Sequence, residues 1–486
     1  MATEARPVHG FARLARDSVL FATGSVVGKA VGLVLLPFLT RALTPQDYGQ
    51  VDVVTTLQSA LAALLLLGFD LPATRLYADL DETTRPRMFA SWLLGVTSLG
   101  GTAVLALAVF GPDVSRWLFG SDALWTALVL AGVAAVANAV QVITLTALRN
   151  NDRPGVFAAV SSGTLVAYGI AVVLLVPRWP TVTAVLVAVA ASMLVGAMTG
   201  LAASLRMVVA PPSRALGKRL ALLGLPLVPA VVATWVSEFA NRAILLERAG
   251  STEVAFFSVA TRFASIALLV VLGFQMAWQP AAFSLGDDEG ALGKVAQDGR
   301  RIMVGVAASV VAVALASPEL VLLAGGRGYL PSLPAVGLSL VFALAYAAYH
   351  TGTLPSAISR RMRDLGTAAV VAALVGVLMN LWMASAWGAT GTAAAIAVGQ
   401  TAGAAVGVAL ARYRAPVPYP WARILSVTLA ACALACAVTF PSGGATLPWR
   451  ILLMSLFGLV LWVEGSLPEA LRLARTRLQP ERYSSR

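Results

Sequence analysis

Residues 123–148 read ALWTALVLAGVAAVANAVQVITLTAL, with no charged side chain between Asp122 and Arg149. About 20 such residues suffice for a helix to cross the hydrocarbon core of a bilayer. This run is longer, is bounded on both sides by charge, and reads as a transmembrane helix. The rest of the chain has the same character. Of its 486 residues 58% are hydrophobic and 12% are charged, about half the ~25% charge content of soluble globular domains. That composition excludes a soluble enzyme and a disordered scaffold alike.

Working outward from 123–148, stretches of the same kind recur fourteen times. They lie at approximately 18–39, 48–68, 88–110, 123–148, 155–176, 181–205, 222–246, 254–283, 299–317, 331–357, 365–386, 389–411, 421–440 and 449–467. The ninth and tenth are separated by PELVLLAGGRGYLPSLP, a Gly/Pro-rich connection with room for a short helix. The first, from Ser18 to Leu39, follows Arg6, Arg13 and Arg16 as a signal peptide would. It is a full span with no small-residue cleavage site behind it, so it is expected as a retained helix. The expected class is an all-α polytopic membrane protein of about 14 transmembrane helices.

The formal net charge of +12 would suggest a nucleic-acid partner in a soluble protein. Here its distribution says otherwise. With the amino terminus in the cytoplasm, Arg41, Arg116, Arg178, Arg248, Arg327 and Arg450 fall in outside loops, and Lys29, Arg242 and Arg262 fall within spans. The other 26 of the 35 Lys and Arg belong to inside loops, their span ends and the two tails. That asymmetry is the positive-inside rule. It places both termini in the cytoplasm and leaves no nucleic-acid role.

The chain repeats weakly. Pro45-Gln-Asp-Tyr-Gly answers Ser251-Thr-Glu-Val-Ala at an offset of 206, with Asp47 matching Glu253. Six spans per repeat is an even number, so both halves cross in the same sense. The expected organisation is a cytoplasmic tail at 1–17, a six-helix lobe at 18–205, a cytoplasmic linker at 206–221, a second six-helix lobe at 222–411, helices 13 and 14 within 412–467, and a basic cytoplasmic tail at 468–486.

Motifs for chemistry are few. Gly24-Ser-Val-Val-Gly28-Lys29-Ala30 has three residues between its glycines where a phosphate-binding loop needs four, and Ala30 stands where Ser or Thr belongs. His9 and His350 are the only histidines, and Cys432 and Cys436 the only cysteines, so neither a metal site nor a disulfide framework is expected. No catalytic set and no cofactor motif is present, and the connections are too short to hold a catalytic domain. Asp70 and Arg75 read as interfacial anchors, and Arg360-Arg-Met-Arg363 as a topogenic run that can also meet anionic lipid. His350, Gln275, Asn380 and Gln400 read as polar glue between helices. Pro226, Pro229, Pro280 and Pro355 read as kinks.

Charges inside spans are costly, about 2.5–3.5 kcal/mol for a cation at mid-helix unless it faces a wet or paired interior. Lys29 lies near the middle of the first span. Arg242 and Arg262 lie at similar depths in the seventh and eighth, and Glu238 precedes Arg242 by four positions, the spacing of a helical ion pair. Two readings stay open: Glu238 merely neutralises Arg242, or three cations against one glutamate make a positive interior suited to an anion. The planar fork of arginine suits phosphate in particular. Glu238 is also the best-placed carboxylate for coupling to an ion or proton.

The stretch from Gly24 through Lys29, Gly32, Pro37, Thr40-Arg41 and Pro45 to Tyr48-Gly49 closely resembles the opening of polysaccharide biosynthesis exporters, the O-antigen flippase-like branch of the multidrug/oligosaccharidyl-lipid/polysaccharide (MOP) superfamily. Leu225-Pro-Leu-Val-Pro229, Trp235, Asn241-Arg242, Phe257 to Arg262, and Gln275-Met-Ala-Trp278-Gln-Pro280 agree with it. The resemblance implies a MATE-like, V-shaped pair of lobes alternating access in the bacterial inner membrane. It implies a cargo of oligosaccharide on polyprenyl diphosphate, moved from the cytoplasmic to the outer leaflet, with Lys29, Arg242 and Arg262 binding the diphosphate. Membrane lipids and the polymerase or ligase enzymes of the pathway are the partners implied. Related drug/cation antiporters commonly carry an acid in the first span, which Ser18–Leu39 lacks. The alternatives are such an antiporter, a lipid II flippase, or, more remotely, a membrane polymerase or glycosyltransferase.

Overall fold

The computed structural model describes residues 28, 30–225, 228–284, 289–359, 361–414, 417–441 and 444–468, and among these there is no β-strand. The helices are α1 (Ala30–Ala42), α2 (Pro45–Leu66), α3 (Asp70–Asp79), α4 (Arg85–Phe119), α5 (Trp125–Asn150), α6 (Pro154–Leu175), α7 (Val182–Val208), α8 (Arg214–Gly224), α9 (Val228–Ala249), α10 (Ser251–Ser284), α11 (Glu289–Gly325), α12 (Leu333–Ile358), α13 (Met362–Arg414), α14 (Trp421–Thr439) and α15 (Leu447–Glu464). Among the described residues eleven helices are long and apolar enough to cross a membrane. One of them, Arg363–Tyr413, is two helices joined at Trp387 and Gly388.

Local chemistry sets the helix ends. Thr44 starts α2: its Oγ1 accepts the Asp47 N–H at 3.1 Å and donates to the Asp47 carboxylate at 2.7 Å, with Pro45 behind it in the first turn. Such a cap contributes about 1 kcal/mol. Thr181 caps α7 in the same way. Outward faces of the spans are apolar and bare. Leu94, Leu99, Leu105, Val109 and Phe110 of α4 are all more than half exposed, a surface that fits lipid and no aqueous medium.

The chain packs as two compact units, Met1–Ala243 and Ile244–Arg486. The division falls inside α9. In the first unit a core of Phe69, Leu76, Met88, Phe89, Trp92, Ile143 and Leu220 ties α3 and α8 to α4 and α5. The connections at 69–87 and 206–221, expected as loops, thus each hold a short helix. Their apolar faces are too short to register as spans, and only burial against α4 reveals them. Ser91 Oγ accepts the Ser213 N–H at 2.8 Å and donates to Ser213 O at 3.1 Å, fixing the start of α8. Deeper in, Gln141 Nε2 donates to Thr164 Oγ1 at 2.6 Å between α5 and α6. Gly196 of α7 lies against both side chains, and a Cβ there would come within 2.7 Å of the Gln141 amide nitrogen.

In the second unit α15 is fastened to α11 near both ends. At one end Arg450 Nη1 donates to the Glu319 carboxylate at 2.6 and 2.7 Å and to Leu315 O at 2.9 Å. At the other, Arg300 Nη1 donates to Glu464 Oε1 at 2.8 Å and to Ser466 Oγ at 2.9 Å. Arg300, grouped by sequence with solvated inside charges, is buried in this pair. Tyr419 lies beside it, buried against Gly299, and its hydroxyl donates to Thr351 O at 3.0 Å. Within α13, Gly388 adopts φ +53° and ψ −130°, a backbone open only to glycine. There Glu253 of α10 accepts the Ala389 N–H at 2.7 Å, capping the second half of α13 from another helix. The Gly/Pro-rich connection after α11 holds a 3₁₀ turn, Arg327–Ser332, with Tyr329 buried.

Several single residues can now be placed. Asp70 and Arg75 are exposed on α3, and Arg361 and Arg363 are exposed at the start of α13. Asn380 is fully buried and Gln400 half-buried. His350 stacks edge-on against Tyr346 and Tyr349 of its own helix, and its Nε2 meets no polar partner among the described residues. Cys432 and Cys436 are free, half-buried thiols. Pro226 and Arg360 lie outside the described residues, as do the side chains of Pro229, Gln275 and Pro280.

Candidate functional site

The cap at Thr44 sets the register of α2, and Asp52 follows just over two turns later, about 12 Å along the axis. Asp52, Thr55, Thr56 and Ser59 recur at three- and four-residue intervals, which places them on one stripe. Thr55 and Ser59 donate their hydroxyls to Val51 O at 2.8 Å and Thr55 O at 3.0 Å. The hydroxyls are thereby satisfied inside the helix, and the carboxylate of Asp52 is left to other elements.

Arg242 of α9 meets it. Its Nε donates to Asp52 Oδ2 at 2.8 Å, and its Nη1 donates to Glu238 Oε2 at 3.2 Å and to Glu238 O at 3.3 Å. The three side chains differ in burial: Asp52 is 10% exposed and Arg242 14%, whereas Glu238 is 54% exposed. One guanidinium is therefore held between a buried carboxylate and an open one. With both ionised the group carries one net negative charge. The helical spacing of Glu238 and Arg242 is realised, but Glu238 is not the sole counter-charge.

Asp52 is the residue that sequence reasoning missed. An ionised group within an apolar run is itself a signal, and Asp52 in 48–68 carries that signal. It adds a second acid to the three cations and one glutamate counted from the sequence.

Arg262 lies half-buried on α10, in the second compact unit. Its stripe matches that of α2 at the same offset of 206: Asp47, Thr55 and Ser59 answer Glu253, Thr261 and Ser265. Thr261 and Ser265 donate to backbone carbonyls in their own helix, as Thr55 and Ser59 do. At the Asp52 position α10 has Ser258. Lys29 lies outside the described residues. No group of three or more His, Cys, Asp or Glu that would hold a metal occurs among the described residues.

A second feature of the first unit is an open groove of about 500 Å³ lined by Pro37, Phe38, Arg41, Ala42, Pro177 and Pro180. It joins the end of α1 to the α6–α7 connection and touches none of the triad.

Comparison with known proteins gives a consistent picture. The polysaccharide biosynthesis protein family matches residues 14–285, a segment that includes Lys29, Asp52, Glu238, Arg242 and Arg262. Compared by sequence with curated proteins, the chain matches none. Among solved structures, the lipid II flippase MurJ in an inward closed conformation aligns with a TM-score of 0.74 at 13% identity, covering 94% of this chain and 100% of that one. A multidrug resistance MATE family transporter of the MOP superfamily, outward-facing, aligns at 0.58 with 18% identity, covering 83% and 95%. A MOP superfamily transporter from Pyrococcus furiosus aligns at 0.59 with 16% identity, covering 85% and 96%. These likenesses establish the fold.

Proposed function

Since the chain belongs to the polysaccharide biosynthesis protein family, we propose that it is a flippase for an oligosaccharide carried on polyprenyl diphosphate. Cargo moves from the cytoplasmic to the outer leaflet of the bacterial inner membrane by alternating access. The observation that carries this reading is a charged, partly open arginine–carboxylate triad within helices of a family that handles surface polysaccharide. A diphosphate and a sugar chain have no solvation in hydrocarbon, whereas the polyprenyl tail has no need to leave it. Arg242 supplies bidentate donors for the phosphates. Lys29 and Arg262 act with it as the binding set, and helices with intramembrane cations of this kind are expected to border an aqueous route.

The chain does this without catalysis. Fourteen spans, two lobes at 18–205 and 222–411 joined by 206–221, and cytoplasmic termini complete the reading. The charge asymmetry supports them. Lipid II is a second cargo of the same diphosphate chemistry, favoured by the extent of the likeness to MurJ. Mass spectrometry of the lipid that copurifies with the protein separates the two.

The functional test is translocation in proteoliposomes. Each charge-assisted contact contributes roughly 1.5–3 kcal/mol, so Arg262→Ala and Lys29→Ala should each slow flipping by about tenfold or more while insertion and thermal stability hold. Wild-type rates in both variants would refute the cationic binding set.

A further inference from the structure

We propose that α8 is a lipid-reading helix: its exposed stripe holds the phosphate of an anionic phospholipid at Arg214 and Lys218, and the acyl chains beside it at Leu222 and Leu225. The site lies within the first compact unit and is independent of which cargo the chain carries.

Helical spacing makes the stripe. Arg214, Lys218, Leu222 and Leu225 follow one another at intervals of four, four and three residues, so they share one face. All four are exposed, Leu222 and Leu225 at 62% each. The opposite face is the packed one. Leu220 belongs to the core with Met88, Phe89 and Trp92 of α4, and a Cβ on Gly217 would meet Ser91 Cβ at 3.8 Å. Packing therefore fixes which side of α8 looks outward. Along that side the character changes from cationic to apolar within about 16 Å.

Such a change fits neither water nor hydrocarbon alone. α4 has 35 residues, about 52 Å of helix, against a hydrocarbon core of about 30 Å. Its first turns begin with Arg85 and Arg87 and carry the contacts to α8, so they stand at head-group level. There a helix keeps its cations among the phosphates and its leucines among the upper acyl chains.

The charge selects the lipid. Residues 206–225 contain four cations and no acid. Arg219 lies 3.8 Å from Asp79, with both side chains more than half exposed, whereas Arg214 and Lys218 meet no acid among the described residues. Arg87 adds a further cation just before the helix, where its Nε donates to Pro211 O at 3.3 Å. A zwitterionic head group brings its own cation and leaves this excess in place. An anionic one neutralises it, each Lys or Arg contributing about fivefold to the preference.

The test places one environment-sensitive fluorophore (NBD) on Ala215→Cys, an exposed position beside Arg214, in the full chain with Cys432→Ala and Cys436→Ala. Dioleoylphosphatidylglycerol or dioleoylphosphatidylcholine is then titrated into detergent micelles that hold the protein. The labelled chain should respond to the anionic lipid at a mole fraction about tenfold or more below that needed of the zwitterionic one. Arg214→Gln with Lys218→Gln should erase that preference, and Arg214→Lys should keep it. Arg361→Gln with Arg363→Gln, on another helix, should leave it untouched. Leu222→Ser with Leu225→Ser should weaken the response to both lipids. Equal response of the labelled chain to the two lipids overturns the proposal, as does a preference that survives Arg214→Gln with Lys218→Gln or vanishes with the Arg361 and Arg363 pair. Leucine variants that respond as their parent does overturn it too. So does glycerophosphoglycerol, the head group without chains, if it competes as well as the whole lipid, since the site would then be one for soluble phosphate. Should Arg214→Gln with Lys218→Gln melt early in lipid-free detergent, salt decides in the labelled parent. A preference that collapses between about 50 mM and about 500 mM salt supports charge recognition, and one indifferent to salt refutes it.

Discussion

Among the described residues each compact unit holds a nearly buried arginine–carboxylate pair at 2.8 Å, and the two differ in how their third member is placed. Arg300 and Glu464 are 8% and 3% exposed, and Ser466 closes the group by accepting from Arg300 and donating to Glu464. Both charged partners are buried and Ser466 is half-buried, and the pair joins α11 to the end of α15. Arg242 and Asp52 are 14% and 10% exposed, and their third member, Glu238, stands in the open. A sealed pair has nothing to exchange. An open one keeps a partner at the surface, and the binding role proposed for Arg242 rests on that difference.

That contrast is easily broken by experiment. The largest effect is expected from Arg300→Ala, which leaves Glu464 charged and buried, a loss of about 3–5 kcal/mol seen as a large fall in melting temperature in detergent. Removing both partners with Arg300→Met and Glu464→Leu should recover most of that loss and leave flipping intact, since apolar replacement of a buried pair is often neutral. Next is Asp52→Asn, where Arg242 keeps Glu238 and the structure is spared. Loss of the charge-assisted bond, about 1.5–3 kcal/mol, should appear in diphosphate affinity more than in melting temperature. Were the melting temperature to fall as far as in Arg300→Ala with affinity unchanged, the two pairs would be alike.

Smaller effects sharpen the same comparison at single hydrogen bonds. Glu253→Ala removes the cap on Ala389 and should cost about 1 kcal/mol, read as a modest thermal shift. Tyr419→Phe deletes the hydroxyl that donates to Thr351 O beside the sealed pair. It should cost about 0.5–1.5 kcal/mol with no change in transport.

The repeat shows how far pattern carries. Asp47 and Glu253 occupy matching positions, but the Asp47 carboxylate accepts from the Thr44 hydroxyl in its own first turn whereas Glu253 caps a helix 136 residues away. At the matching positions Asp52 and Ser258, only α2 carries a charge. Symmetry in sequence thus predicts equivalent places, and what each place does depends on the neighbour it meets.

From the sequence alone came the helical class, the approximate position of nearly every described span, and the sidedness expected from arginine distribution. These depend on the length of apolar runs and on charges a few residues away, so they are local quantities. The short helices α3 and α8 were hidden because their apolar faces acquire meaning only when α4 and α5 cover them. The ion pair of Glu238 with Arg242 was legible, being one turn of one helix. The partnership of Arg242 with Asp52 was not, because it spans 190 positions, and no periodicity in either segment points to the other. Tertiary packing alone decided which carboxylate is sealed in and which stays exposed: burial is set by the helices that surround a residue, and a sequence does not state which helices those are.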